Sequence, residues 1–157
     1  IHAGVYFGMA TDKGRLFVPI SDTPDGREYP EPARPGMYAL DLRNGDYIWK
    51  SPAENICRED QIYCQPGYPA AITVIEEIVI AGSNDGHLRI FDVEKGDILW
   101  DRDTAIEFDS LGGGKAKGGS FGGGAAPIAF NGQLIVNSGY GFAGKMPGNA
   151  LLVFEVK

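Results

Sequence analysis

Apolar and polar positions alternate along this chain in short runs, and one arrangement of runs is written twice. Residues 36–49 read GMYALDLRNGDYIW and residues 87–100 read HLRIFDVEKGDILW. Asp41 corresponds to Asp92, Gly45 to Gly96 and Trp49 to Trp100, at a constant offset of 51 residues. A fixed period of this length marks propellers and solenoids. Each copy reads as a β-hairpin, two period-2 strands about a turn in which Gly45 or Gly96 supplies the positive φ.

Further alternating runs flank each copy. VYFGMATDKGRLFVPISD sets two runs around Asp12-Lys13-Gly14, and PAAITVIEEIVIAGSNDG sets runs at 70–75 and 78–82 around Glu76-Glu77. AAPIAFNGQLIVNSGYG sets two more around Asn131-Gly132, and ALLVFEV follows the insertion GFAGKMPGN. Aligning Phe154 with Phe91 and Leu40 gives a third repeat that lacks its tryptophan strand. The sequence therefore predicts 11 strands in three blades, at 1–50, 69–102 and 125–157. No window holds a sustained 3.6-residue apolar period, so the expected class is all-β, with four antiparallel strands per blade in a partial β-propeller.

In up-and-down connectivity the first-to-second and third-to-fourth turns share one face of a propeller, and the remaining loops share the other. The former are all short here: DKG, EE, NG, RNG and EKG. The long segments 21–35, 51–68, 101–124 and 139–148 are all of the latter kind. They are expected to crowd one rim, where binding and chemistry usually sit on a rigid scaffold. Closed propellers take roughly four to eight blades, so three blades need further polypeptide or other chains to complete a ring.

The chain has 157 residues, 43% of them hydrophobic, enough for one domain with a core. Its net charge of −7 argues against nucleic acid or an anionic membrane as main partner. No run is long and apolar enough to span a bilayer. The chain starts at Ile1 with no charged-then-apolar leader, which reads as a processed product or an excised piece. Cys57 and Cys64 share the irregular segment NICREDQIYCQPGYP, as a small disulfide-closed ring in an oxidising compartment or as two free thiols. No further His or Cys stands near them to make a zinc site, and His2 and His87 lie in different repeats.

The pattern Ala39-x-Asp41-x-x-x-Gly45-x-x-x-Trp49 and its copy at Asp92, Gly96 and Trp100 resemble the tryptophan-docking motif of quinoprotein propellers. The runs GMATDKGRLFVPISD, GSNDGHLRIFDVEKGDILWD, KAKGGS, VNSGYG and MPGNALLVF resemble the C-terminal part of the polyvinyl-alcohol-dehydrogenase-like branch of pyrroloquinoline quinone (PQQ) dehydrogenases. The resemblance implies an eight-bladed periplasmic or secreted propeller holding PQQ and Ca²⁺ near its axis on the loop-rich face, with Ca²⁺ ligands mostly in other blades. It implies a small or polymeric alcohol as substrate and an electron acceptor such as a cytochrome c. The adjacent-cysteine disulfide of methanol dehydrogenases has no counterpart here.

Within that resemblance, GGGKAKGGSFGGG at 112–124 is the most chemically suggestive segment. Its glycines, Gly118 and Gly119 among them, let backbone approach a flat ligand. Lys115 and Lys117 are candidates for the carboxylates of PQQ, with Lys117 expected to stabilise charge on the C5 carbonyl as hydride arrives. The plain alternative is a flexible loop with two solvated lysines. Asn137, Ser138 and Tyr140 in NSGYG emerge on the same rim as candidate cofactor contacts, or as an ordinary turn. Asp22, Asp103 and Asp109 are rim carboxylates that could serve as base or ligand. Trp49 and Trp100 are expected to pack between blades, and Asp41 and Asp92 to satisfy turn amides. Two functions are expected: part of a PQQ-dependent alcohol dehydrogenase, or a non-catalytic propeller acting as scaffold, like the outer-membrane assembly lipoprotein of similar architecture. The run QPGYPAA, where the family pattern has Gln-Ser before the alanines, favours the second.

Overall fold

A computed structural model describes residues 4–23 and 25–155. The first three residues of the first predicted blade, including His2, and the last two of the third lie outside the described residues. Strands β1 (Ala10–Asp12), β2 (Arg15–Ile20), β3 (Gly36–Asp41) and β4 (Tyr47–Pro52) form one antiparallel sheet in chain order. Strands β5 (Thr73–Ile75), β6 (Ile78–Gly82), β7 (His87–Asp92) and β8 (Ile98–Asp103) repeat it. A short hairpin follows, β9 (Glu107–Asp109) with β10 (Lys115–Lys117). Then β11 (Ile128–Phe130), β12 (Gln133–Ser138) and β13 (Ala150–Glu155) form a three-stranded sheet.

The hairpin β9–β10 lies within 101–124, where the sequence predicts a long loop. Its register sets Lys115 against Asp109 and Lys117 against Glu107, so opposite charges pair across the strands. The all-β expectation holds, with two four-stranded antiparallel sheets and, among the described residues, a third of three strands.

The three sheets share one register. Arg15 faces Asp41, Ile78 faces Asp92 and Gln133 faces Glu155. A register shift recurs at the same place in the first two, between Ala39 and Leu40 and between Ile90 and Phe91. The third-to-fourth turns are built alike: Asp41 Oδ1 accepts the Arg43 N–H, and Asp92 Oδ1 accepts those of Glu94 and Lys95. Gly45 and Gly96 close these turns at φ 77° and 74°, where an L side chain would be strained.

Period-2 alternation puts the middle sheet between its neighbours. Val79, Ala81 and Phe91 face the first sheet and pack with Phe17, Met37 and Trp49. Ile80 and Leu88 face the other way and pack with Phe121 and Val136. Trp49, only 7% exposed, reaches across from β4: its Nε1–H donates to Val93 O at 3.0 Å, and a Cβ built on Gly96 would lie 2.4 Å from its ring. Trp100 lies edge-on to Phe154 of the third sheet, 5.4 Å between centroids.

Candidate functional site

Each sheet passes to the next through a repeated backbone contact. The Tyr68 N–H donates to Ile20 O, and the Phe121 N–H donates to Ser83 O. Both aromatics are buried and lead into the inner strand of the following sheet. The connections β2–β3, β4–β5 and β12–β13, and the segment around β9–β10, are long, whereas those at 13–14, 76–77 and 131–132 have two residues each. The long ones are laced together at one end of the sheets. Ser120 Oγ donates to Asn84 O at 2.6 Å and accepts the Met146 N–H at 2.9 Å. Ser83 Oγ donates to Gly67 O, and the N–H groups of Gly139 and Tyr140 both donate to Ser120 O.

Under this lacing lies a buried ionic network. Arg89 on β7 donates to Asp85 Oδ2 at 2.9 Å, Asp101 Oδ2 at 3.0 Å and the Tyr68 hydroxyl at 3.2 Å. His87 Nδ1 meets Asp101 Oδ1 at 2.6 Å. Burial pushes the Tyr68 phenol up to about 12. Burial works against the Arg89 charge, but Tyr68, Asp85 and Asp101 hold its pKa above the ordinary value. Every charge in this network has its partner, which suits a structural role in fixing the β6–β7 turn.

The residues singled out in the sequence do not share one cavity. Lys115 is exposed and held by Asp109 at 2.6 Å and Glu107 at 3.4 Å, which raises its pKa. Lys117 is exposed, and its N–H donates to Asn149 Oδ1. Gly118 and Gly119 are buried where strands of backbone cross: a Cβ on Gly118 would sit 1.8 Å from Thr104 O, and one on Gly119 would sit 2.4 Å from Met146 O. Ser138 is buried too, with Thr104 Oγ1 at 2.7 Å and the Gly119 N–H at 2.9 Å on its hydroxyl. Asn137 is exposed and lines a small cavity beside Phe121 and Leu151.

The three aspartates stand apart. Asp22 accepts the N–H groups of Gly4 and Arg34, Asp103 accepts that of Ala105, and Asp109 pairs with Lys115. Among the described residues no group of three or more His, Cys, Asp or Glu side chains is placed to hold a metal ion. Cys57 and Cys64 form a disulfide within the β4–β5 connection.

Tyr140 borders a cavity that also contains a buried charge. The cavity, about 230 Å³, is walled by Tyr6, Phe7, Pro69, Tyr140 and Phe142, with Lys145 at one side. The rings of Phe7 and Tyr140 meet edge to face at 5.9 Å, and those of Tyr140 and Phe142 lie 6.1 Å apart. Lys145, 9% exposed, donates to Thr23 Oγ1 at 3.0 Å and Gln65 Oε1 at 3.4 Å, both neutral groups. Burial lowers its pKa. Beside Thr23, Asn84 donates through Nδ2 to Ser21 Oγ and Thr23 Oγ1, and its buried Oδ1 has no partner among the described residues.

Lys145 sits in the insertion GFAGKMPGN, and the sequence does carry a signal for it. Between Asp109 and Glu155 there are three lysines and no acidic residue, an unusual stretch in a chain of net charge −7.

Known proteins place this arrangement. No family model matches the chain. It is 39% identical over 149 residues to a polyvinylalcohol dehydrogenase of a Pseudomonas species, covering 94% of this chain and 22% of that one. It is 35% identical over 167 residues to the polyvinylalcohol dehydrogenase of Sphingopyxis sp. strain 113P3, covering 98% of this chain and 25% of that one. The chain thus spans a quarter or less of the length of these curated relatives. In structure it resembles a quinohemoprotein alcohol dehydrogenase from Pseudomonas putida HK5, with a TM-score of 0.55 at 21% identity over 88% of this chain and 17% of that one. The resemblance read from the repeat motif and loop runs is borne out in sequence, and the propeller-like architecture is borne out in fold.

Proposed function

From its kinship to the polyvinylalcohol dehydrogenases, we propose that this chain forms three consecutive blades of a PQQ-dependent alcohol dehydrogenase acting on polyvinyl alcohol or a related secondary alcohol. The observation that supports this most is the aromatic cavity with its buried lysine, at the end of the sheets where the long connections converge. Ring faces suit a planar ligand body, and an ammonium that pairs with no acid among the described residues suits an acidic edge. PQQ is a planar tricarboxylate, so the residues present fit it. When bound, it supplies an electrophilic quinone carbonyl that accepts hydride from an alcohol carbon.

The chain's own part is to bind and orient. Tyr6, Phe7, Tyr140 and Phe142 supply aromatic walls to the cavity, and Lys145 holds positive charge at its side. Lys117, exposed on β10 and outside that cavity, is a second candidate cation for the cofactor. Ca²⁺ and the base that takes the hydroxyl proton would come mainly from other blades. The remaining blades close the ring, an acceptor such as a cytochrome c takes the electrons, and the disulfide fits a periplasmic or secreted location.

The test uses the full-length polypeptide. Mixed with PQQ and Ca²⁺, it is expected to show bound-quinone absorbance and to reduce a dye with secondary alcohols. A folded protein that does neither overturns this reading in favour of a scaffold.

A further inference from the structure

Among the described residues, Lys145 is a buried cation with no acid paired to it. Its two hydrogen-bond acceptors are a hydroxyl and a side-chain amide, and it makes no ion pair among those observed in the described residues. Desolvation is the cause of its lowered pKa, with no carboxylate acting against it. Arg89 shows how this fold treats a buried cation it needs for structure: two aspartates and a phenol surround it. Burying an ammonium without a counter-charge is costly, and among the described residues two neutral acceptors are what offsets it. An ammonium also has three donors, and two are engaged among the described residues.

The cavity beside it has one charged wall and several aromatic ones. Tyr6 and Phe7 come from the lead-in to β1, Pro69 from the lead-in to β5, and Tyr140 and Phe142 from the β12–β13 connection. All three sheets therefore contribute to one small enclosure. Outside it, Phe142 is 70% exposed and Phe7 is 43% exposed, so the rings are available to cover a ligand.

We propose that this cavity is a binding subsite for a carboxylate carried on a flat aromatic body, the acid group meeting Lys145 Nζ and the body lying against Phe7, Tyr140 and Phe142. The quinone cofactor has this chemistry, and where it is the ligand the inference deepens the reading above and rests on it. A free aromatic acid has the same chemistry and does not depend on that reading.

The experiment is calorimetric titration of the full-length, PQQ-free protein with PQQ and, separately, with 2-naphthoate and its neutral amide. Native protein is expected to bind 2-naphthoate, and its amide at least tenfold more weakly. Lys145→Met is expected to weaken 2-naphthoate at least tenfold, and Phe142→Ala, at an exposed position, to weaken it severalfold. The subsite is overturned if native protein fails to bind 2-naphthoate at millimolar concentration. It is overturned equally if folded Lys145→Met binds it as the native protein does. Should that variant not fold, unchanged affinity in Phe142→Ala overturns it. PQQ bound normally by Lys145→Met, with 2-naphthoate also unchanged, sinks the subsite while the dehydrogenase reading stands. Native protein that binds 2-naphthoate through Lys145 but not PQQ supports the subsite and sinks that reading.

Discussion

Two buried cations, handled in opposite ways, carry the account at the scale of single residues. Arg89 is fully partnered, so Arg89→Met strands Asp85, which is 1% exposed, without a counter-ion. Removing one partner of a buried pair typically costs about 3–5 kcal/mol, and chemical denaturation of the full-length variant should show a loss in that range. Lys145 predicts the reverse. Because burial lowers its pKa in the folded state, the unfolded chain keeps the proton to higher pH. Stability should therefore rise with pH between the lowered folded value and the ordinary lysine value of 10.5. In the absence of ligand, Lys145→Met should raise the thermal midpoint at pH 7 and flatten that rise, as melting curves from pH 7 to 10 would read. The sequence pointed to Lys115 and Lys117 because glycines surround them, whereas Lys145 is the lysine that is buried. Its burial depends on Thr23 and Gln65, 122 and 80 residues away in the chain, and local composition carries no trace of such convergence. Gly118, Gly119 and Ser138 sit where chain segments cross, close against Thr104, Met146 and one another.

Among the elements, the third-to-fourth turns offer a controlled comparison. Gly45 and Gly96 share a left-handed backbone, so alanine at either should cost about 1–2 kcal/mol for conformation alone. A Cβ at Gly45 meets open space, but at Gly96 it would strike the Trp49 ring. Gly96→Ala should therefore cost about 1–3 kcal/mol more than Gly45→Ala, the usual range for overpacking. Equal losses in urea titration would mean that Trp49 does not seat on that turn. The strands rich in apolar residues, such as RLFVPI and HLRIFD, are legible because one face or both must be buried. The hairpin β9–β10 was not, since EFD and KAK are too short and too polar for periodicity to speak. Its charge complementarity, acids on one strand against lysines on the other, was the readable clue.

The whole molecule shows itself in what its end sheets leave uncovered. On the third sheet Phe130 is 74% and Leu151 67% exposed, on the face turned away from the middle sheet. Apolar faces of this kind mark contact with more protein. If further blades cover this face in the full-length polypeptide, Phe130→Asp should destabilise it by about 2 kcal/mol or more, where an exposed surface change would stay within about 0.5 kcal/mol. The repeat count predicts more blades, whereas the end of the sheets proposed to carry the ligand is set by where 118–122, 139–147 and 65–70 meet, which local sequence does not show. Hydrogen exchange of the full-length protein with and without PQQ tests that placement most directly. Added protection is predicted in those three segments and not in the short turns at 42–46, 93–97 and 131–132. Protection concentrated in the short turns, or no difference on adding PQQ, would contradict it.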